Sequence, residues 1–296
     1  MPWTLPFDKF KTLAQRRVAQ DQWVGEWLDA LLEWPTDVFE KLLRDASREV
    51  LAFLALYGPK GGNDPYARNR VGVTPFNVEL VALYALCTQA YEKVETKVLD
   101  GFAELAKEVY QRGCHEVQWD LGKWQSVREL TEKQLSQMAD AKWFDEKRFS
   151  DRLWEDKEAL ERALRRTLAQ GINLGWSAKQ MANAIKNALN AALSAIVRLV
   201  RTEANRVQNM ALMAAYKENG VERYEYVAIM DERTSEICEG LNGKTFLVAE
   251  AEPGVNMPPM HPNCRSSTIP LGKDTTNVDR DVERLDYENW VSKYLG

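Results

Sequence analysis

Apolar side chains recur at three- and four-residue steps through most of the first 220 residues, which is the period of amphipathic helices. This pattern predicts a first helix over 8–34. Because proline lacks the amide proton that a helix interior needs, Pro35 is expected to end it. Thr36 or Asp37 is then expected to cap a second helix that reaches about Tyr57.

Segments rich in glycine and proline are expected to separate the remaining helices of the helical part. Residues 58–75 are rich in Gly, Pro and Asn and are predicted to be a functional or mobile loop. A long helix is expected from about 75 to 111, with a stop around Gly113. A Trp-rich joint at Trp119 and Trp124 and shorter helical pieces over 129–170 follow. Ser177 is a predicted N-cap of the next helix.

The helix predicted over 191–219 carries one acidic residue on its apolar stripe. Ile196, Val200, Val207 and Met210 share a face with Glu203 at alternating steps of three and four. A carboxylate there needs a partner. One hypothesis places Glu203 at the stripe's edge, paired with a neighbouring arginine. The other uses it to tie the helix to a polar site on the next part of the chain.

The pattern changes after Gly220 to that of a small α+β module. Residues 223–231 alternate like a strand, and 232–240 are expected to form a short helix capped by Asp231 or Thr234. Asn242-Gly243 is a hairpin signal that leads into a second strand over 245–248. A third strand is expected over 266–271. A polar tail follows, and its last residues are expected to dock through Trp290.

The fold class predicted from these patterns is mainly α, with a long helical N-terminal body and a small C-terminal α+β module. The expected regions are 1–150 (helical), 151–220 (basic and helical), 221–272 (the module) and 273–296 (the tail). The chain has 296 residues, 45% of them hydrophobic, and a net charge of −5, as is ordinary for a globular protein. No apolar run reaches membrane-spanning length, and no secretory signal is visible. The four cysteines are scattered, which disfavours a disulfide framework.

Basic residues are concentrated between 162 and 206, where eight Lys or Arg face a single acid, Glu203. A charge run of this kind is most often a solvated surface. The alternative is a patch that contacts nucleic-acid phosphates without reading sequence. The candidate DNA-binding residues are Arg162, Arg165, Arg166, Lys179, Lys186 and Arg198.

Four short motifs follow one another in the second half of the chain. They are Arg-Thr-Glu with a nearby Asn, Asp-x-Arg-Thr-x-x-x-Cys, Asn-Gly-Lys-x-Phe and His-Pro-Asn-Cys-Arg; the last, residues 261–265, is called the clasp below. Their residues are Arg201, Thr202, Glu203, Asn205, Asp231, Arg233, Thr234, Cys238, Asn242, Gly243, Lys244, Phe246, His261, Pro262, Asn263, Cys264 and Arg265. In this order and spacing they resemble the phage minor head morphogenesis family, also called Mu F-like, over about 150–272.

The resemblance implies a minor capsid protein of a tailed bacteriophage rather than an enzyme. Such proteins enter the procapsid in few copies, associate with the portal and lie inside the head near packaged DNA. The implied partners are the portal protein, capsid or scaffolding proteins and non-specific double-stranded DNA, with no membrane. The implied location is the virion interior, and the host cytoplasm during assembly. The motif also implies that Glu203 packs against the module, against Arg233 or Arg265. The alternative is a metal- or thiol-dependent enzyme domain related to phage-associated toxins.

Cys238, His261 and Cys264 are the candidate metal ligands, because the His-x-x-Cys gap suits a metal knuckle and these donors suit Zn²⁺. Asp231 is the available fourth ligand. Many members of the family have a cysteine where this chain has Ser266, so one sulfur ligand is missing. We therefore favour a metal-free clasp, with His261 hydrogen-bonded, Arg265 paired to Asp231 or Glu203, and the cysteines packed as small hydrophobes. A Cys238–Cys264 disulfide is the third alternative.

Overall fold

The structure is a computed structural model that describes residues 13–57, 73–272 and 285–296. Its helices are α1 (Leu13–Tyr57), α2 (Val73–Leu121), α3 (Glu132–Ala139), α4 (Phe149–Leu174), α5 (Ala178–Glu218), α6 (Glu236–Leu241) and α7 (Tyr287–Tyr294). The strands are β1 (Arg223–Val227), β2 (Thr245–Leu247) and β3 (Ser267–Leu271), and short 3-10 turns lie at Phe144–Glu146 and Val248–Glu250. The predicted fold class, mainly α with a small α+β module near the C-terminus, is confirmed.

The described residues form two compact units. The first contains the chain up to Asp29, Leu99–Arg148 and Val200–Gly296, and the second contains Ala30–Val98 and Phe149–Leu199. Helices α1, α2 and α5 each contribute one segment to each unit. The region boundaries drawn from the sequence remain predictions.

The second unit is a helical core. Phe39 of α1 and Tyr91 of α2 are buried and meet edge-to-face, with ring centroids 5.7 Å apart. The Trp154 indole on α4 donates a 3.1 Å hydrogen bond to Glu95 of α2. Helix α5 begins as predicted: the Gln180 amide donates to the Ser177 hydroxyl, and the Ser177 amide donates to the Gln180 side chain. Burial of each large apolar side chain in this core contributes about 1.5–3 kcal/mol.

The first unit contains the only sheet in the described part of the chain. Its strand order is β2-β1-β3, and both pairings are antiparallel. The side chains of Tyr224 and Tyr226 on β1 are completely buried. The Tyr216 hydroxyl on α5 donates a 2.9 Å hydrogen bond to the Thr268 carbonyl of β3. This buried bond attaches the sheet to the C-terminal end of α5.

The C-terminal helix docks as predicted. Trp290 is completely buried, and its indole donates a 2.9 Å hydrogen bond to the Gln118 side chain of α2. The Val127 amide donates to the Tyr294 carbonyl, and Trp124 stacks on the Tyr294 ring. The predicted Trp-rich joint is therefore the surface that receives α7.

Two predicted helix ends are wrong. Pro35 lies inside α1, and the Thr36 hydroxyl donates to the Leu32 carbonyl instead of capping a new helix. Buried side chains on both sides of Pro35, including Leu31 and Phe39, offset the lost backbone hydrogen bond. Gly113 lies within α2, where an added Cβ would be 2.9 Å from the Ala215 Cβ. This glycine permits close helix contact rather than ending a helix.

Two local details of the module also differ from prediction. Helix α6 lies between β1 and β2, so Asn242-Gly243 ends a helix instead of turning a tight hairpin. Its N-cap is Ser235 rather than Asp231 or Thr234. The predicted loop at 58–72 lies outside the described residues, as does the polar tail at 273–284. Residues 73–75, assigned to that loop, begin α2.

Candidate functional site

The motif residues lie on the second half of α5, the turn after β1, helix α6, the connection from α6 through β2, and the segment before β3. All of these elements belong to the first unit. The four motifs are separated along the sequence, but the fold places all of them in the same unit.

Thr202 and Asn205 attach α5 to the clasp. The Asn263 amide donates a 3.0 Å hydrogen bond to the Thr202 hydroxyl. The Asn205 side-chain amide donates a 2.9 Å bond to the Ser266 carbonyl. Asn263 has a φ of +59°, a conformation that asparagine tolerates better than most residues. Side chains three residues apart on α5 therefore hold the middle of the clasp and the residue that follows it.

Glu203 contacts a different part of the chain. Its side chain has no exposed surface, and one oxygen accepts a 2.8 Å hydrogen bond from the Trp143 indole. The other oxygen lies 2.6 Å from Nε of Arg206. The expected pairing of Glu203 with Arg233 or Arg265 is wrong, because its face of α5 meets the segment before α4. The hypothesis that Glu203 pairs with a neighbouring arginine is confirmed. Its predicted position at the edge of the apolar stripe is wrong, because the side chain is completely buried.

Arg206 is a central residue that the sequence analysis did not single out. It is completely buried, and it donates 2.9 Å bonds to the Met138 and Ala139 carbonyls as well as to Glu203. Those carbonyls are at the end of α3, where the helix dipole favours a cation. The three-residue spacing from Glu203 was the available signal.

Asp231 organises the turn between β1 and α6. Its carboxylate accepts a 2.9 Å bond from the Arg233 amide, and its own amide donates to the Thr234 hydroxyl. The Arg265 guanidinium donates two bonds to it, of 2.6 and 2.7 Å. Hydrogen bonding to Arg265, and then to the Arg233 amide, holds the pKa of Asp231 well below its usual range. This pair is the one expected for the metal-free clasp.

Asn242, Gly243, Lys244 and Phe246 connect α6 to the sheet. The Asn242 side chain accepts a 2.9 Å bond from the Ala228 amide. Gly243 has a φ of +76°, and its amide donates to the Tyr226 carbonyl. Phe246 packs 5.9 Å from Tyr224 between ring centroids, while the Lys244 side chain is exposed. This motif is therefore a structural connection.

Cys238 of α6 lies beside two clasp residues, His261 and Cys264. The Cys238 sulfur is 3.3 Å from His261 Nε2 and 3.7 Å from the Cys264 sulfur. Neither cysteine forms a disulfide, and both pack against Tyr226 and Ala228. Asp231 is not part of this group; its carboxylate is bound by Arg265, so it is not the fourth ligand.

The two thiols differ in acidity. Burial raises the pKa of Cys238, but hydrogen bonds from Ser235, Ser266 and Tyr226 outweigh it and lower the pKa to about 7. Burial raises the pKa of Cys264. Part of Cys238 is therefore thiolate near neutral pH, and a thiolate can act as a nucleophile or a metal ligand. Since Cys238 is only 3% exposed, access by a large substrate is restricted.

The clasp borders a groove of about 700 Å³. The lining includes His261, Asn263 and Cys264 from the clasp and three arginines, Arg201, Arg233 and Arg265. Arg201 is exposed and lies 3.3 Å from Asp29, also an exposed side chain. Of the Arg-Thr-Glu motif, therefore, the arginine borders the groove, the threonine binds the clasp and the glutamate lies in the interior.

The candidate DNA-binding residues lie on α4 and α5 in the second unit. Arg162, Arg165, Arg166, Lys179, Lys186 and Arg198 are all exposed. Arg162 is 3.4 Å from Glu158, so its charge is locally balanced. Neither Arg165 nor Arg166 has an acidic partner within 4.0 Å among the described residues. No described helix is long and apolar enough to cross a membrane.

Comparison with known proteins supports the family resemblance. Residues 162–269, which are 108 of the 296 residues, match the family model described as phage Mu protein F like protein. The match confirms the resemblance to the phage head morphogenesis family for this part of the chain, called the Mu F-like region below. No curated protein and no solved structure matches the chain.

Proposed function

We propose that this chain is a minor head protein of a tailed bacteriophage that associates with the portal inside the procapsid. The observation that carries the proposal is the match of residues 162–269 to the Mu F-like family. The contacts within that region support a structural role, because each motif either holds a turn or joins two elements. A structural role also fits Cys238, whose thiol is buried rather than presented to solvent.

Co-purification with the portal tests this proposal. The chain would be expressed with the affinity-tagged portal protein encoded by the same phage, and the complex isolated by size exclusion. We expect the chain to elute with the portal ring, and not with the portal of an unrelated phage expressed as a control. A soluble, folded chain that never elutes with its own portal would contradict portal association.

We also propose that exposed basic residues of α4 and α5 contact packaged DNA through phosphates. The support is the charge distribution: residues 162–206 carry eight bases and one acid within a chain of net charge −5. The one acid, Glu203, is buried against Arg206, which is one of the eight bases, so seven exposed bases remain with no exposed acid in this stretch. Binding of this kind is independent of sequence and weakens steeply with salt.

Salt-dependent binding to random-sequence duplex DNA tests this contact. The triple variant Arg162→Ala, Arg165→Ala, Arg166→Ala should lower the slope of log affinity against log salt by about 2–3, since each lost phosphate contact removes about 0.9. The matched control replaces Lys93, Lys97 and Lys107, three exposed lysines of α2, and removes the same charge. If both variants reduce the slope equally, the residues of α4 have no special role.

A further inference from the structure

We propose that Cys238, His261 and Cys264 bind one Zn²⁺ ion, with a water molecule from the adjoining groove as the fourth ligand. The proposal does not depend on the role in head assembly. It rests on the positions of three donor atoms, which all lie within 4.8 Å of one another. Among the described residues, no other His, Cys, Asp or Glu belongs to this group.

Two of the three distances between the donors match those that a zinc ion imposes. Zn–S bonds of about 2.3 Å and Zn–N bonds of about 2.0 Å, at tetrahedral angles, separate two sulfurs by about 3.8 Å and a sulfur from a nitrogen by about 3.5 Å. The structure has 3.7 Å between the two sulfurs and 3.3 Å between the Cys238 sulfur and His261 Nε2. The third pair, the Cys264 sulfur and the His261 imidazole, lies within 4.8 Å, so an ion fits once these two donors approach each other by up to about 1.3 Å.

The surroundings orient the donors as a metal site needs. The Nδ1 atom of His261 is 2.9 Å from the Pro262 carbonyl, which can only accept a hydrogen bond. Nδ1 therefore carries the proton and leaves the lone pair of Nε2 directed at the sulfurs. The Tyr226 hydroxyl donates a 3.2 Å hydrogen bond to the Cys238 sulfur. A donor of this kind stabilises a metal-bound thiolate.

The fourth position is open to solvent on the clasp side. His261 and Cys264 line the groove, so water can reach the ion from there. The Asp231 carboxylate does not supply this ligand, because it accepts two hydrogen bonds from Arg265. The Ser266 side chain, which is buried, hydrogen-bonds to both cysteines. Three protein ligands and a water make a four-coordinate site of a known zinc type.

The donor set selects the metal class. Two thiolates and one imidazole are soft or borderline ligands, which favour Zn²⁺ over Mg²⁺ or Ca²⁺. Bound zinc would join α6, which carries Cys238, to the clasp segment before β3. Because a small three-stranded module has little core of its own, such a link would stabilise it.

Zinc uptake by the full chain tests the proposal. Protein purified under reducing conditions would be stripped with a chelator, reloaded with Zn²⁺, desalted and analysed by elemental mass spectrometry. We expect about one zinc per chain and a higher melting temperature after loading. Cys238→Ala and His261→Gln should each lose both effects. His261 is partly exposed, so this second variant retains the fold even if the first does not.

Matched controls come from the two other cysteines. Cys87→Ala and Cys114→Ala remove buried thiols outside the group, and both should keep full uptake. Ser266→Cys adds a sulfur within reach of both cysteines, as a candidate fourth ligand, and should tighten zinc binding at least tenfold in competition with a chromophoric chelator. Failure of the wild type to hold zinc above the level of His261→Gln would overturn the proposal. Unchanged zinc affinity in Ser266→Cys would overturn the proposal that the fourth ligand position is open.

Discussion

The Mu F-like region contains two carboxylate–guanidinium pairs with similar distances and different burial. Glu203 and Arg206 are 2.6 Å apart, and neither side chain has any exposed surface. Asp231 and Arg265 are also 2.6 Å apart, yet 37% and 32% of their side-chain surfaces are exposed. Water and salt screen the exposed pair, but neither reaches the buried one.

The comparison shows that a hydrogen-bond distance alone does not rank the importance of an ion pair. Removal of one partner from the buried pair leaves an uncompensated charge in the interior, whereas removal of a partner at the surface leaves a solvated charge. The partners also differ in what they join. Arg206 closes the end of α3, while Arg265 fastens the clasp to the turn after β1. The following predictions separate these two roles.

The largest effect is expected for Arg206→Ala. It leaves Glu203 buried without its cation and the last carbonyls of α3 without donors, which should cost about 3–5 kcal/mol in the free energy of unfolding. Urea unfolding followed by circular dichroism measures this loss. The control is Arg201→Ala on the same helix, whose exposed pair with Asp29 should contribute only about 0–1 kcal/mol. Equal losses in the two variants would contradict the difference in burial.

An intermediate effect is expected for Asn205→Ala, which removes one hydrogen bond between α5 and the clasp segment, and leaves that of Thr202, without changing charge. The buried Ser266 carbonyl loses its donor, and the expected cost is about 1–3 kcal/mol by the same measurement. The control is Asn187→Ala, an exposed asparagine of α5, which should be neutral or slightly stabilising because alanine favours helices. If Asn205→Ala proves as neutral as this control, the bond from Asn205 to Ser266 does not stabilise the contact between α5 and the clasp.

The smallest effect is expected for Asp231→Asn, and it should depend on pH and salt. Because Arg265 lowers the folded-state pKa of Asp231, its stabilisation is present above about pH 4 and is lost as the pH falls further. The melting temperatures of wild type and variant should therefore differ at pH 7 and approach each other progressively as the pH falls below about 4. They should also converge in 1 M salt. A difference that is constant over both ranges would show that Asp231 acts through its turn alone.

Several elements of the fold could be predicted from the sequence because patterns between neighbouring residues determine them. The stripe of α5, the Ser177 cap and the third strand depend on residues within a few positions of each other. Pro35 and Gly113 misled the prediction because distant packing decides whether a helix continues through them. The partner of Glu203 was equally hard to predict, since Trp143 is 60 residues away along the chain. The grouping of Cys238 with His261 depends on how α6 folds back over β1.

Incorporation into procapsids tests the central claim most directly. The chain would be expressed with the portal, scaffolding and capsid proteins of its phage, and purified procapsids would be analysed by quantitative mass spectrometry. We predict that the chain is present in far fewer copies than the major capsid protein, and that its amount falls when the portal gene is omitted. Procapsids that lack the chain, formed in cells where it is expressed and folded, would contradict its role as a minor head protein.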